Sequence, residues 1–153
     1  MAVQAQELQA IRNTLATYAV AGDRMQLEVL AATFMPEGVL ETPAATFRGR
    51  DAIVHGLGRA TSEPAQTVPR ATFVRHHLTT SMLDVRDPGL AEGRTYFVVF
   101  TDIGPDHAGC YSDKLRKSGD QWLFEHRRVM IDWVSEATLF PALLPAYRAR
   151  RAR

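Results

Sequence analysis

An aspartate and a histidine lead the residues of this chain that could do chemistry. Asp23 follows Tyr18-Ala-Val-Ala-Gly at the end of a helical stretch, and His76 lies in the strand-like run Arg75-His76-His77-Leu78-Thr79-Thr80. A carboxylate held against an imidazole orients the ring and stabilises its protonated form, so the histidine becomes a usable general base near neutral pH. The nucleophile that such a pair often serves is not evident in the sequence, and the chemistry this predicts is proton abstraction, not acyl transfer. Each residue also has a plainer reading. Asp23 is a good helix N-cap by itself, and a lone strand histidine is more often a hydrogen-bonded structural residue. His76 and His77 point to opposite faces of a strand. Thr80 shares parity with His76, and Thr79 with His77, unless a bulge intervenes, so periodicity alone does not choose between the histidines.

The elements that must position these residues can be read from hydrophobic spacing. Leu8, Ile11, Leu15 and Tyr18 predict an amphipathic helix over residues 4–20, ended by Gly22. Asp23 then caps a second helix with Leu27, Leu30, Ala31 and Phe34 on its stripe, and Pro36-Glu-Gly38 breaks it. Two short extended pieces follow at 39–41 and 45–48. Gly49-Arg50-Asp51 opens a third helix carrying Ile53, Val54 and Leu57, with its end expected in the polar stretch 61–69. The second half predicts four strands at 72–85, 94–102, 107–116 and 121–133. Asp87-Pro-Gly89, Gly104-Pro-Asp106 and Lys117-Ser-Gly-Asp120 are the turns between them. Helices first and an antiparallel meander afterwards predict an α+β fold: helices on a curved, mostly antiparallel sheet, a cone-shaped α+β barrel enclosing a pocket.

Composition narrows the function classes. The chain has 153 residues, enough for one domain with a real core, and 46% apolar against 23% charged residues is an ordinary globular balance. A formal net charge of +1 gives no general case for nucleic acid. The basic cluster Arg148, Arg150, Arg151 and Arg153 reads as a solvated, frayed tail. Cys110 is the only cysteine, which rules out an internal disulfide and a cysteine-rich zinc site. It reads as a small packing residue of a strand. His55, His76, His77, His107 and His126 form neither a helical i, i+4 pair nor a His-x-His motif, so no metal site is expected. Gly56-Leu-Gly58 lacks the context of a nucleotide loop. No secretory signal and no apolar run of membrane-spanning length is visible, so the expectation is a cytoplasmic protein without a membrane partner.

Several strings, taken in order, resemble the SnoaL-like branch of the nuclear transport factor 2-like superfamily. They are Tyr18-x4-Asp23, Phe47-Arg-Gly-Arg-Asp-Ala-Ile53, Arg75-His76-x2-Thr79, Gly109-x-Tyr111-x-Asp113-x-Leu115 and Gly119-x2-Trp122-x-Phe124-x-His126-Arg127-Arg128, spanning about residues 8–133. The pattern is most similar to the group of scytalone dehydratase, lindane dehydrochlorinase and bile-acid 7α-dehydratase. The resemblance implies a single domain over 1–153, with 134–153 as a C-terminal segment able to cover a pocket or reach a neighbouring subunit.

The same resemblance implies a cofactor-independent lyase acting on a hydrophobic cyclic small molecule, polyketide-like or steroid-like. His76 would be the base, Asp23 its partner, and Tyr18 the donor to a departing oxygen or developing enolate. Arg127 would offset negative charge, with an ion pair to Asp113 or Glu125 as its equally weighted structural reading. Tyr111, Thr80 and Phe34 would contact substrate, although Thr80 departs from the asparagine common at that place. Trp122 and Trp133 read as core or interface residues. The alternatives are a non-catalytic small-molecule binder and a polyketide cyclase or epoxide hydrolase. A homo-oligomer, trimer before dimer, is also implied, and the run Val98-Val99-Phe100, apolar on both faces, agrees with burial on both sides.

Overall fold

A computed structural model describes residues 2–62 and 70–152. Three helices come first in the chain: α1 (Ala2–Asp23), α2 (Leu27–Ala32) and α3 (Arg50–Ser62). Strands β1 (Phe34–Glu41) and β2 (Thr46–Arg48) lie between α2 and α3. Four long strands follow: β3 (Arg75–Asp87), β4 (Leu90–Thr101), β5 (Gly104–Ser118) and β6 (Gln121–Val134). A short 3-10 turn (Pro141–Leu143) leads into α4 (Leu144–Arg151). The strands form one sheet in the order β2-β1-β6-β5-β4-β3. All neighbours are antiparallel except β1 and β6, which run parallel. The fold is therefore α+β, as predicted, but the six-stranded sheet is open, with β2 and β3 as its edges, and not a closed barrel.

Packing decides which face of the sheet is the inner one. Along β4, Thr95, Phe97, Val99 and Thr101 are buried, while Tyr96 is exposed and Val98 and Phe100 are half-buried. The buried set joins Ile11, Leu15 and Tyr18 of α1, Leu30 and Ala31 of α2, Ile53 of α3, and Phe34, Leu40, Tyr111, Leu115, Trp122 and Phe124 of the sheet in one core. The 3.6-residue spacing of Ile11, Leu15 and Tyr18 puts them on the stripe of α1 that faces this core. Glu7, on the same helix, accepts hydrogen bonds from Trp122 Nε1 and from Lys117 Nζ, the latter at 2.5 Å, and ties α1 to the β5–β6 turn.

Several local expectations are corrected. The first helix does not stop at Gly22 but continues through it to Asp23, and the chain turns at Met25, whose φ is +56°. Gln26, not Asp23, precedes α2, and it makes no side-chain cap. The second helix ends at Ala32, so Phe34 starts β1 instead of closing a helical stripe. It pairs there with Phe124, and a register shift between Phe34 and Val39 accommodates Pro36 and Gly38. Gly38 has no room for a side chain: a Cβ would lie 2.8 Å from the Phe124 carbonyl oxygen. Residues 63–69, most of the expected end of the third helix, lie outside the described residues.

The basic tail is not frayed. Arg148 pairs with Glu136 at 2.9 Å and Arg150 with Asp132 at 3.1 Å, and Arg150 also donates to the Ile131 carbonyl at 2.8 Å. Buried Tyr147 anchors the helix, because an apolar contact supplies what exposed ion pairs alone do not. The C-terminal segment thus packs on the chain's own sheet, and Arg153 lies outside the described residues.

Candidate active site

The end of α1 meets the edge strand β3 through Asp23. His76 Nδ1 lies 2.6 Å from Asp23 Oδ1, and the His76 backbone N–H donates to both carboxylate oxygens at 3.1 and 3.2 Å. An edge strand presents N–H groups that no neighbouring strand can pair. The carboxylate satisfies one of them and grips the ring with the same atoms. This contact explains why Asp23 caps no helix: its oxygens are already committed. The Asp23 side chain is 8% exposed and that of His76 22%, so the pair is shielded on one side and open on the other. With Nδ1–H donated to the carboxylate, the neutral ring keeps its lone pair on Nε2, for which the described residues provide no hydrogen-bond partner.

Register settles which histidine faces inward. His76 pairs with Val99 and Leu78 with Phe97, both on the buried face, whereas His77 packs its ring 5.1 Å from Phe100 on the other. A register shift between Leu78 and Ser81 then changes the parity. Ser81 takes the inner position opposite Thr95, with their hydroxyl oxygens 2.8 Å apart. Thr80 is exposed and set off that row. A bulge adds one residue and rotates every later side chain by one face.

Tyr18 and Arg127 stand deeper. Arg127 is fully buried and forms a two-pronged pair with fully buried Asp113, Nε to Oδ1 at 2.8 Å and Nη2 to Oδ2 at 2.7 Å. Its guanidinium carbon lies 4.0 Å from the ring centre of Phe124, 4.1 Å from Tyr111 and 4.3 Å from Tyr18. Burial works against its charge, but Asp113 outweighs burial and holds the pKa above the ordinary value. Glu125, the other partner considered, pairs with Arg116. Nη1 of Arg127 has no partner among the described residues. Burial raises the pKa of Tyr18, and raises that of Tyr111 well above its usual value, so both remain phenols and hydrogen-bond donors. Phe34 has no exposed surface and lies 6.0 Å from the Tyr18 ring and 5.2 Å from Phe124.

Tyr18, Phe34, Tyr111, Phe124 and the Arg127–Asp113 pair pack together on the inner face of the sheet. A cleft of about 730 Å³ lies near Glu7, Arg86 and Lys117, and a second of about 360 Å³ beside Pro36 and Arg50; Asp23 and His76 line neither. The apolar surface next to His76 is instead that of Leu78 and Phe97, the latter with its ring 6.2 Å from the imidazole and stacked 4.4 Å from Tyr111. Among the described residues no group of three or more His, Cys, Asp or Glu side chains is arranged to hold a metal. Cys110 is buried, and burial pushes its thiol pKa up, which suits a packing residue.

Comparison with known proteins identifies the family. The family model described as a SnoaL-like domain matches residues 3–128. The chain belongs to that family. Among solved structures, this SnoaL-like domain is similar to Rv3472 of Mycobacterium tuberculosis, described as of unknown function. The identity is 27%, the TM-score 0.74, and the match covers 95% of this chain and 91% of that one. A Novosphingobium aromaticivorans protein provisionally named scytalone dehydratase shares 24% identity with a TM-score of 0.69, over 85% of this chain and 87% of its own. LinA shares 14% identity with a TM-score of 0.73, over 86% and 90%. The last two likenesses establish the fold. No curated protein sequence matches. No described helix is long and apolar enough to cross a membrane.

Three site residues escaped the sequence reading. Ser81 was hidden by the bulge. Asp106 and His107, adjacent in sequence, looked like a turn residue and a strand residue pointing apart, yet they are hydrogen-bonded to each other. A register shift between Val99 and Phe100 leaves Asp106 as the extra residue of β5, which breaks the alternation. The signal available was the Gly104-Pro-Asp106-His107 string itself, since glycine and proline beside a strand invite a bulge.

Proposed function

We propose that this SnoaL-like domain is a cofactor-independent lyase of dehydratase type. His76 removes a proton from carbon beside an activating group of a hydrophobic cyclic molecule, such as a polyketide-like or steroid-like one. The observation that carries this reading is the 2.6 Å Asp23–His76 contact, with an Nε2 that no described residue partners. Asp23 fixes the tautomer and stabilises the imidazolium that forms. The substrate lies against Leu78 and Phe97. Tyr18, held protonated, donates to the oxygen on which charge develops. Arg127 is too enclosed to meet substrate; it supplies positive potential through the ring layer of Tyr18 and Tyr111. Phe34 and Tyr111 back that layer, and Thr80 contributes at the rim.

The test is native purification followed by mass spectrometry of whatever small molecule remains bound, then turnover of that compound. Elimination that disappears in folded His76→Ala supports the reading. Binding without turnover replaces it with a small-molecule binding protein, and ring closure or epoxide opening with another SnoaL-like chemistry.

The chain works as a homo-oligomer, a trimer before a dimer, through the outer face of the sheet. Tyr96 and Trp133 are 49% and 41% exposed there, beside half-buried Val98. Light scattering at micromolar concentration tests this, and a monomer refutes it.

A further inference from the structure

A second aspartate–histidine pair stands on the inner face. His107 Nδ1 lies 2.8 Å from Asp106 Oδ1, and Asp106 is completely buried. Its carboxylate also accepts from Thr138 Oγ1 at 2.6 Å, from the Leu139 N–H at 2.8 Å and from Thr101 Oγ1 at 3.3 Å. So anchored, it accepts a hydrogen bond from Nδ1–H, which leaves the lone pair of the neutral ring on Nε2. Burial, ahead of the opposing pull of Asp106, lowers the pKa of His107, which keeps the ring neutral around pH 7.

Register places this pair relative to the first. His76 is opposite Val99, and Val99 is opposite His107, so all three side chains share one face. The histidines are two strand spacings apart, about 10 Å. The Phe97 ring stands between them, 6.2 Å from one imidazole and 6.4 Å from the other. The described residues give the Nε2 of His107 no hydrogen-bond partner. The residue is 7% exposed, and its ring also packs 5.3 Å from that of Phe140. A purely structural fastening would use Nδ1 alone. An acceptor left free on a nearly buried ring is instead matched to a donor that arrives from outside.

We propose that His107 Nε2 is an acceptor subsite for a hydroxyl group on the substrate, about two strand spacings from the carbon deprotonated by His76, with Phe97 as the apolar floor between. This deepens the lyase reading and rests on it for the role of His76, but the subsite itself can be tested without turnover. Two ketones serve as probes: 4-(4-hydroxyphenyl)cyclohexanone and 4-phenylcyclohexanone, identical but for the phenol. Affinities are measured by calorimetry, and hydrogen–deuterium exchange beside the carbonyl is followed in the same samples.

The expected result is about tenfold tighter binding of the phenol by the wild-type protein, the worth of one hydrogen bond. The preference shrinks to within about twofold in His107→Phe and returns in part in His107→Gln, whose amide oxygen can reach the Nε2 position. Folding of the variants is checked by circular dichroism. If His107→Phe does not fold, the nitrogen-15 shift of His107 Nε2 in wild-type protein decides: it moves with the phenol and not with the phenyl ketone. Equal affinities, a preference that survives in His107→Phe, an unmoved Nε2 resonance, or no binding of either ketone at millimolar concentration overturns the subsite. Exchange that is absent in wild-type protein while the phenol preference holds overturns the lyase reading and leaves the subsite standing. Exchange that is lost in His76→Ala while the ketones bind equally does the reverse.

Discussion

Two carboxylates each hold a nitrogen-bearing side chain on the same face of one sheet, and the two pairs differ in almost everything else. Asp113 and Arg127 meet in a two-pronged pair with no exposed side-chain surface, under a layer of three aromatic rings. Asp23 and His76 meet at the edge strand through one ring nitrogen and the His76 backbone N–H, with about a fifth of the imidazole open. A sealed pair between a permanent cation and a carboxylate can only hold structure, because neither partner can exchange a proton with anything that arrives. A half-open pair with a titratable ring and a free nitrogen can. Exposure and acidity of the cation separate the two roles, whereas the residue types alone do not. Arg127, a candidate for direct catalysis by sequence, falls on the structural side of that line, with influence on the site through Tyr18 and Tyr111.

The sharpest way to break the comparison is to remove a member of each pair and read activity and stability separately. His76→Ala should lower turnover of the identified substrate by about 10²–10⁴-fold, the span for a lost general base, with little change in melting temperature. Asp23→Asn should come close behind, since an amide stabilises no imidazolium and can impose the wrong tautomer. Near-wild-type turnover in folded His76→Ala removes the active half of the comparison. Asp113→Ala should do the opposite. It strands a buried guanidinium, which costs about 3–5 kcal/mol of folding stability, measurable by urea unfolding. A loss below about 1 kcal/mol would show that water or a neighbouring side chain reaches Arg127.

Tyr18 touches both regions and sharpens the contrast. Its ring lies on Arg127, its pKa is raised by burial, and its helix delivers Asp23 one turn later. Tyr18→Phe keeps the ring and the packing, so stability should hardly move. Turnover should fall about tenfold with KM nearly unchanged, because the hydroxyl is assigned to charge that appears only in the transition state. A raised KM with unchanged kcat would make the hydroxyl an ordinary binding contact.

How much of this the sequence carried depends on the scale of the feature. Long strands with alternating burial, such as β4, and helices with a clean apolar stripe, such as α1, are written in the chain because each residue reports its own face. The Asp23–His76 contact became legible only through family resemblance, since 53 positions separate the partners and no local rule connects them. What stayed hidden lies at shifts of register. One extra residue near Thr79–Thr80 moved Ser81 inward, and another at Asp106 turned a neighbouring pair into a hydrogen-bonded one. Period-two reasoning assumes an unbroken ladder, so it fails at such places. The burial of Arg127 was illegible too: the residue reads as polar, yet with Asp113 and three rings it behaves as core.

The smallest effect concerns the second aspartate–histidine pair. Burial lowers the pKa of His107 in the folded protein relative to an unfolded chain, where imidazole titrates near about 6.5. Above that value both states are neutral at this residue and its contribution to stability is complete. As pH falls below it, the unfolded chain takes up a proton that the folded protein refuses, so stability drops until the folded pKa is reached. Burial pulls Asp106 upward, but hydrogen bonds from Thr138, His107 and Leu139 outweigh it and leave its pKa lowered. That carboxylate's own contribution is lost only further down, below about pH 4. Melting temperature should therefore decline between about pH 7 and about pH 5, and the decline should flatten in His107→Gln, which cannot titrate. An equal slope in the variant would place the sensitivity elsewhere and show that His107 does not resist protonation in the folded protein.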